Sequence, residues 1–158
     1  MKETVISFKI TSCQSEELNE TDQQLVEMAQ KATTGSYAPY SNFRVGAALL
    51  LDNGEIVTGN NQENGAYPSG LCAERVTLFY AHAHFPEAAA VTLAIAAHDG
   101  KDFTLKPTPP CGACRQVMIE TIKRSGKPLR ILLWGKKETY IIDDARHLLP
   151  LLFDLTND

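Results

Sequence analysis

Two hydrophobic periods alternate along this chain, one close to two residues and one close to 3.6. Residues 4–12, TVISFKITS, alternate apolar and polar side chains and predict an added edge strand or an arm. The polar run CQSEELNETD reads as a link. In TDQQLVEMAQKATTGS, Leu25, Met28, Ala29 and Ala32 share one face, which predicts a helix capped at Thr21 and ending near Gly35. FRVGAALLLDNGEIVTGNN contains two β-rich runs joined by Asn53-Gly54, a strong hairpin signal. CAERVTLFYAHAHF predicts a helix that stops before Pro86, and AAVTLAIAAHD a buried strand. CGACRQVMIETIKRSG predicts a helix whose basic residues and Gly126 lie at its C-terminal end, as the helix dipole prefers. LRILLWG and ETYIID follow as strands, and DDARHLLPLLFDL as a final helix.

Strands alternating with helices predict an α/β layered domain around a central sheet. The length, 158 residues, suits one domain with a sizeable core. A net charge of −4 argues against a general nucleic-acid binder. No apolar run is long enough for a membrane span, and MKETVISFKITSC lacks the apolar core of a signal peptide. The expectation is a cytoplasmic protein with no nucleic-acid or membrane partner.

The chemistry concentrates in three of the four cysteines. Cys72 and Cys111 each open a predicted helix, where free N–H groups favour a thiolate. Cys111 and Cys114, at i and i+3, share a helical face, and Cys72 supplies a third ligand from another helix. Zinc held by three thiolates keeps a fourth position open, the mark of a catalytic site. Glu74, two residues beyond Cys72, is placed to move a proton between water and a substrate. Three thiolates leave a divalent ion with an excess negative charge. Arg75, Arg115 and Gln116 are therefore expected to include groups that hydrogen-bond the sulfurs. Two other uses of these thiols fit the pattern less well. A redox CxxC pair would leave Cys72 and Glu74 without a role, and a structural site would need the distant Cys13. His82 and His84, at i and i+2, point apart on a helix and are not expected to be ligands, nor is His98.

CAE followed by PCGAC matches the signature of zinc nucleobase deaminases. With YAPYSNFRVGAALL, GNNQENGAYPSGLCAER and PCGACRQV, the chain resembles the homotetrameric cytidine deaminases over roughly residues 21–155. The resemblance implies a three-layer α/β/α fold with a five-stranded mixed sheet. It implies one zinc ion per subunit and hydrolysis of cytidine and deoxycytidine to uridine and deoxyuridine in pyrimidine salvage, with release of ammonia. Carried over by matching letters, Cys72, Cys111 and Cys114 hold zinc and Glu74 shuttles the proton. Ala73 offers its backbone to the base, Phe43 packs on the pyrimidine, and Asn61 and Glu63 bind the ribose. Tyr67 and Phe153 reach a neighbouring subunit's site, which makes the assembly part of catalysis. Asn60, Gly65 and the missing glycine in LLPLLF depart from the family pattern, and the first 20 residues have no counterpart in it, so the resemblance implies an N-terminal extension, residues 1–20, and a catalytic domain, residues 21–158. Two alternatives stand beside this reading. A deaminase of another cytosine-bearing nucleoside, such as blasticidin S, would lack the N-x-E-N-x-x-Y stretch present here. A silent zinc-stabilised module would have no need of Glu74.

Overall fold

The computed structural model describes residues 1–155; residues 156–158, the end of the predicted catalytic domain, lie outside the described residues. Six strands form one mixed sheet: β1 (Thr11–Cys13), β2 (Arg44–Leu51), β3 (Ile56–Asn60), β4 (Ala90–His98), β5 (Arg130–Trp134) and β6 (Thr139–Ile142). Their spatial order is β1-β6-β5-β4-β2-β3, with β4 and β5 parallel and every other pair antiparallel. The expected five strands are β2 to β6. The sixth is a correction: Thr11–Cys13, in the extension, pairs with Thr139–Ile141 and adds an edge. The longer alternating run 4–12 forms strand only at its end; residues 1–10 are exposed and irregular.

Period two sorts the strand residues between two cores. Ala47, Leu49, Leu93, Ile95, Ile131 and Leu133 face one cluster. Ala48, Ala94, Ala96, Leu132 and Trp134 face the other. Helix α1 (Glu20–Ala32) covers the second cluster with Leu25, Val26 and Ala29. Its cap is Asn19 rather than Thr21, because the Asn19 side chain accepts from the Asp22 N–H. A short 3₁₀ turn, Thr33–Gly35, extends it to the expected end.

Helices α2 (Ala73–His84) and α3 (Gly112–Ser125) cover the first cluster with Leu78, Ala81, Cys114, Met118 and Ile122. The result is three layers. Gly59 of β3 brings α2 close, since a Cβ there would lie 2.4 Å from Thr77 Oγ1. The predicted last helix is corrected as well: only a 3₁₀ turn forms, Ala145–Leu148. Leu149, before Pro150, leaves helical geometry at φ −140°, ψ 70°, as a residue preceding proline tends to do. The tail then runs along α3, where the Gln116 side chain donates to the Phe153 carbonyl at 3.0 Å. Among the described residues, no helix is long and apolar enough to cross a membrane.

Candidate active site

Cys72 and Cys111 are themselves the N-cap residues of α2 and α3, both with extended backbone. The two helices therefore start side by side, with their N-cap thiols in contact. Cys114 joins from the first turn of α3. The Sγ atoms of Cys72 and Cys111 lie 3.8 Å apart and those of Cys111 and Cys114 3.4 Å, and all three fall within 4.8 Å of one another. Zinc–sulfur bonds of about 2.3 Å in tetrahedral geometry separate two sulfurs by about 3.8 Å. The donor set and its spacing therefore fit a zinc ion. Among the described residues, no other group of three His, Cys, Asp or Glu side chains converges in this way.

The electrostatics follow from a hydrogen bond shared between thiols, from burial and from one arginine. A hydrogen bond from the Cys114 thiol holds the Cys72 thiol down at about 5 against its own burial, and Arg75 assists. The same sharing, with burial and the nearby Glu74, pushes Cys114 up. Glu74 is 4% exposed; burial raises its carboxyl above the usual range, and the Cys72 charge adds to this. Arg75 Nη2 lies 4.0 Å from Cys72 Sγ and 3.5 Å from the Gly70 carbonyl. Its buried Nε has no hydrogen-bond partner among the described residues. Arg115 and Gln116 turn elsewhere. Arg115 donates to the carbonyls of Pro110 and Leu148, both at 2.9 Å, and Gln116 donates to that of Phe153. They tie the C-terminal tail to α3.

A cleft of about 510 Å³ opens beside Cys72 and Arg75, lined also by Asn61, Glu63, Tyr67 and Tyr40. Glu63 grips the loop before β2: its carboxylate accepts from the N–H groups of Tyr40 at 2.9 Å and Ser41 at 3.2 Å, and from the Ser41 hydroxyl. Those bonds, the Ser41 hydroxyl first, hold it below the usual carboxylate range. Asn61 bridges the two ends of a short stretch, accepting from Val45 N–H at 2.8 Å and donating to the Phe43 carbonyl at 2.9 Å. The two polar residues assigned to the ribose thus also build the loop that carries Phe43. Phe43 is half-buried and Ala73 fully buried; neither lines the cleft, and nor do Gln116 and Phe153. Tyr67 is 76% exposed, packed edge-to-face on Tyr40 with ring centroids 5.9 Å apart, and Phe153 is 69% exposed. Tyr40, Ser41, Gln62 and Asn64 also line the cleft and are not among the residues expected from the sequence. The signal was within reach, because Gln62 and Asn64 flank Glu63, and Tyr40 and Ser41 stand just before Phe43. The histidines have local partners instead: His84 stacks on Tyr80, and His98 Nδ1 accepts from the Gly100 N–H.

Residues 19–125 match the family described as the cytidine and deoxycytidylate deaminase zinc-binding region. A cytidine deaminase of Halalkalibacterium halodurans is 46% identical over 98 residues, which are 62% of this chain and 70% of that protein. One from Mycobacterium tuberculosis is 45% identical over 92 residues, 58% of this chain and 65% of that one. Among solved structures, the Burkholderia pseudomallei cytidine deaminase superposes with a TM-score of 0.69 at 38% identity, covering 82% of this chain and 97% of the other. The M. tuberculosis enzyme gives 0.66 at 33% identity, covering 88% and 100%. The chain therefore belongs to the cytidine and deoxycytidylate deaminase family and carries its zinc-binding region.

Proposed function

We propose that this protein hydrolyses cytidine, and deoxycytidine, to the corresponding uracil nucleosides with release of ammonia. The observation that carries the reading is the buried carboxyl of Glu74 beside three converged thiols, one of which, Cys72, lines an open cleft. In this reading Cys72, Cys111 and Cys114 hold zinc, which supplies Lewis acidity that makes water nucleophilic near neutral pH. Arg75 offsets the excess negative charge on the sulfurs.

Glu74 does the proton work. Its carboxylate takes a proton from water as the oxygen bonds to C4 of the cytosine, and delivers it to N3. It then carries the remaining hydroxyl proton to the exocyclic nitrogen. The C4–N bond breaks, ammonia leaves, and C4 becomes a carbonyl. The buried position of Glu74 keeps bulk water from competing for those protons. Asn61 and Glu63 line the cleft and are assigned to the ribose hydroxyl, which free cytosine lacks, so free cytosine is expected to be a poor substrate.

The high exposure of Tyr67 and Phe153 supports a further part of the reading: each serves the site of a neighbouring copy in a tetramer. The reading includes a salvage role in the cytoplasm. The test is the ultraviolet change on adding the protein to cytidine, with ammonia release measured in parallel. Conversion that stops on chelation and returns with zinc is expected. A folded, zinc-loaded protein that leaves cytidine intact overturns the reading. Sedimentation of the same sample tests the tetramer.

A further inference from the structure

Among the described residues, Asn42 is the one non-glycine with positive φ, at +54°. It stands immediately before Phe43 in the loop that Glu63 grips. Asparagine is among the few residues that enter this left-handed region at low cost. The turn it makes is closed by its own N–H, which donates to the Ala38 carbonyl at 3.0 Å. The reversal lets the Ser41 hydroxyl donate to Glu63 while accepting from the Phe43 N–H at 3.0 Å. Residues 40–43 thus hold Phe43 and Glu63 in one arrangement.

The outside of this turn rests on Gly100, in the loop after β4. Gly100 has φ +92°, and a Cβ there would lie 2.1 Å from Asn42 Nδ2 and 2.9 Å from the Asn42 carbonyl oxygen. Real side chains do not approach so closely, so the contact requires glycine. The supporting loop is itself fixed. The Gly100 N–H donates to His98 Nδ1 at 3.0 Å, and Asp99 accepts from the N–H groups of Lys101 and Asp102 at 2.9 and 3.0 Å.

We infer that Asn42 and Gly100 form a latch that positions Phe43 and Glu63 for the substrate without touching it. The inference rests on the reading of the cleft as a nucleoside site. Releasing the latch lowers the fraction of molecules with a competent loop, and apparent affinity falls by that fraction. The thiols and Glu74 stay in place, so the chemical step is spared.

The test uses the full chain with cytidine, comparing Asn42→Ala, Asn42→Gly and Gly100→Ala with the parent. The two alanine variants are expected to raise KM about tenfold with kcat within about twofold, while Asn42→Gly stays near the parent because glycine adopts the same φ. Hydrogen exchange of the peptide spanning residues 38–45 is expected to quicken in both alanine variants. A parental KM in these variants, with only Tm reduced, overturns the latch and leaves a structural role. So does an Asn42→Gly variant as impaired as Asn42→Ala. If the parent itself does not convert cytidine, the nucleoside reading fails, and the exchange result decides the latch alone. Faster exchange upholds it, and unchanged exchange sinks it.

Discussion

Arg75 directs a guanidinium nitrogen at Cys72, 4.0 Å from its sulfur, from one turn further along the same helix. The helix start that makes Cys72 a good thiolate also brings the charge that tempers it. Replacing Arg75 by alanine removes that offset and leaves the thiol cluster too electron-rich. Zinc affinity and turnover are each expected to fall about 10- to 100-fold, the usual scale for losing a group that hydrogen-bonds a ligand. A chromophoric chelator competition reads the affinity. If both quantities keep their parental values, Arg75 has no such role.

Glu74→Gln separates proton transfer from metal binding. The amide is close in size to the carboxyl and suits a site where burial already disfavours the charged form. Folding and zinc content are expected to be parental. Turnover is expected to drop by about 10²- to 10⁴-fold, the range for a positioned acid–base. A glutamine variant with normal turnover takes Glu74 out of the mechanism.

Asn61→Ala acts on two levels, because the Asn61 side chain spans the Phe43 carbonyl and the Val45 N–H. Losing both bonds leaves two backbone groups without those partners, at a cost of about 1–3 kcal/mol. The start of β2 loosens along with the ribose contact. We expect a lower urea midpoint together with a reduced kcat/KM for cytidine. An unchanged kcat/KM would remove Asn61 from the substrate, whatever the stability.

The thiol cluster was legible in the sequence because its signal is local. Cys72 and Cys111 mark their own helix starts, and i, i+3 spacing fixes Cys114 beside Cys111. Strands β2 to β6 were legible because their alternation meets two apolar layers. The loop network was not. Nothing in the letters says that Glu63 reaches back to Tyr40 and Ser41, 23 and 22 positions away, or that Asn42 packs on Gly100, 58 positions away. The last helix was overcalled because the apolar spacing of LLPLLF is helical in period, while Pro150 forbids the continuation. Gln116 was expected at the sulfurs from its place after Cys114 and Arg115, but its side chain leaves α3 toward the tail.

The boundary drawn at residue 20 is tested by two truncations. Removing residues 1–10 takes away Val5, Ile6, Phe8 and Ile10, all largely exposed, and a stack of Phe8 on His147 with centroids 5.9 Å apart. That deletion is expected to shift Tm by no more than about 2 °C, as surface changes do. Removing residues 1–18 is different. It strips β1 from β6 and deletes Leu18, which is 6% exposed in the core beneath α1. It also removes the Ser15 hydroxyl that accepts from Trp134 Nε1 at 3.0 Å, uncovering the Trp134 ring. The combined loss of burial and hydrogen bonding is expected to reach about 3 kcal/mol, read by urea unfolding. The thiol cluster lies on the opposite face of the sheet from Leu18 and Trp134, so zinc content should survive in the folded fraction. Equal stability of the two truncations would mean that β1 and Leu18 decorate the domain. A large loss in the longer one alone places the physical start of the domain ahead of residue 18, inside the segment first read as an extension.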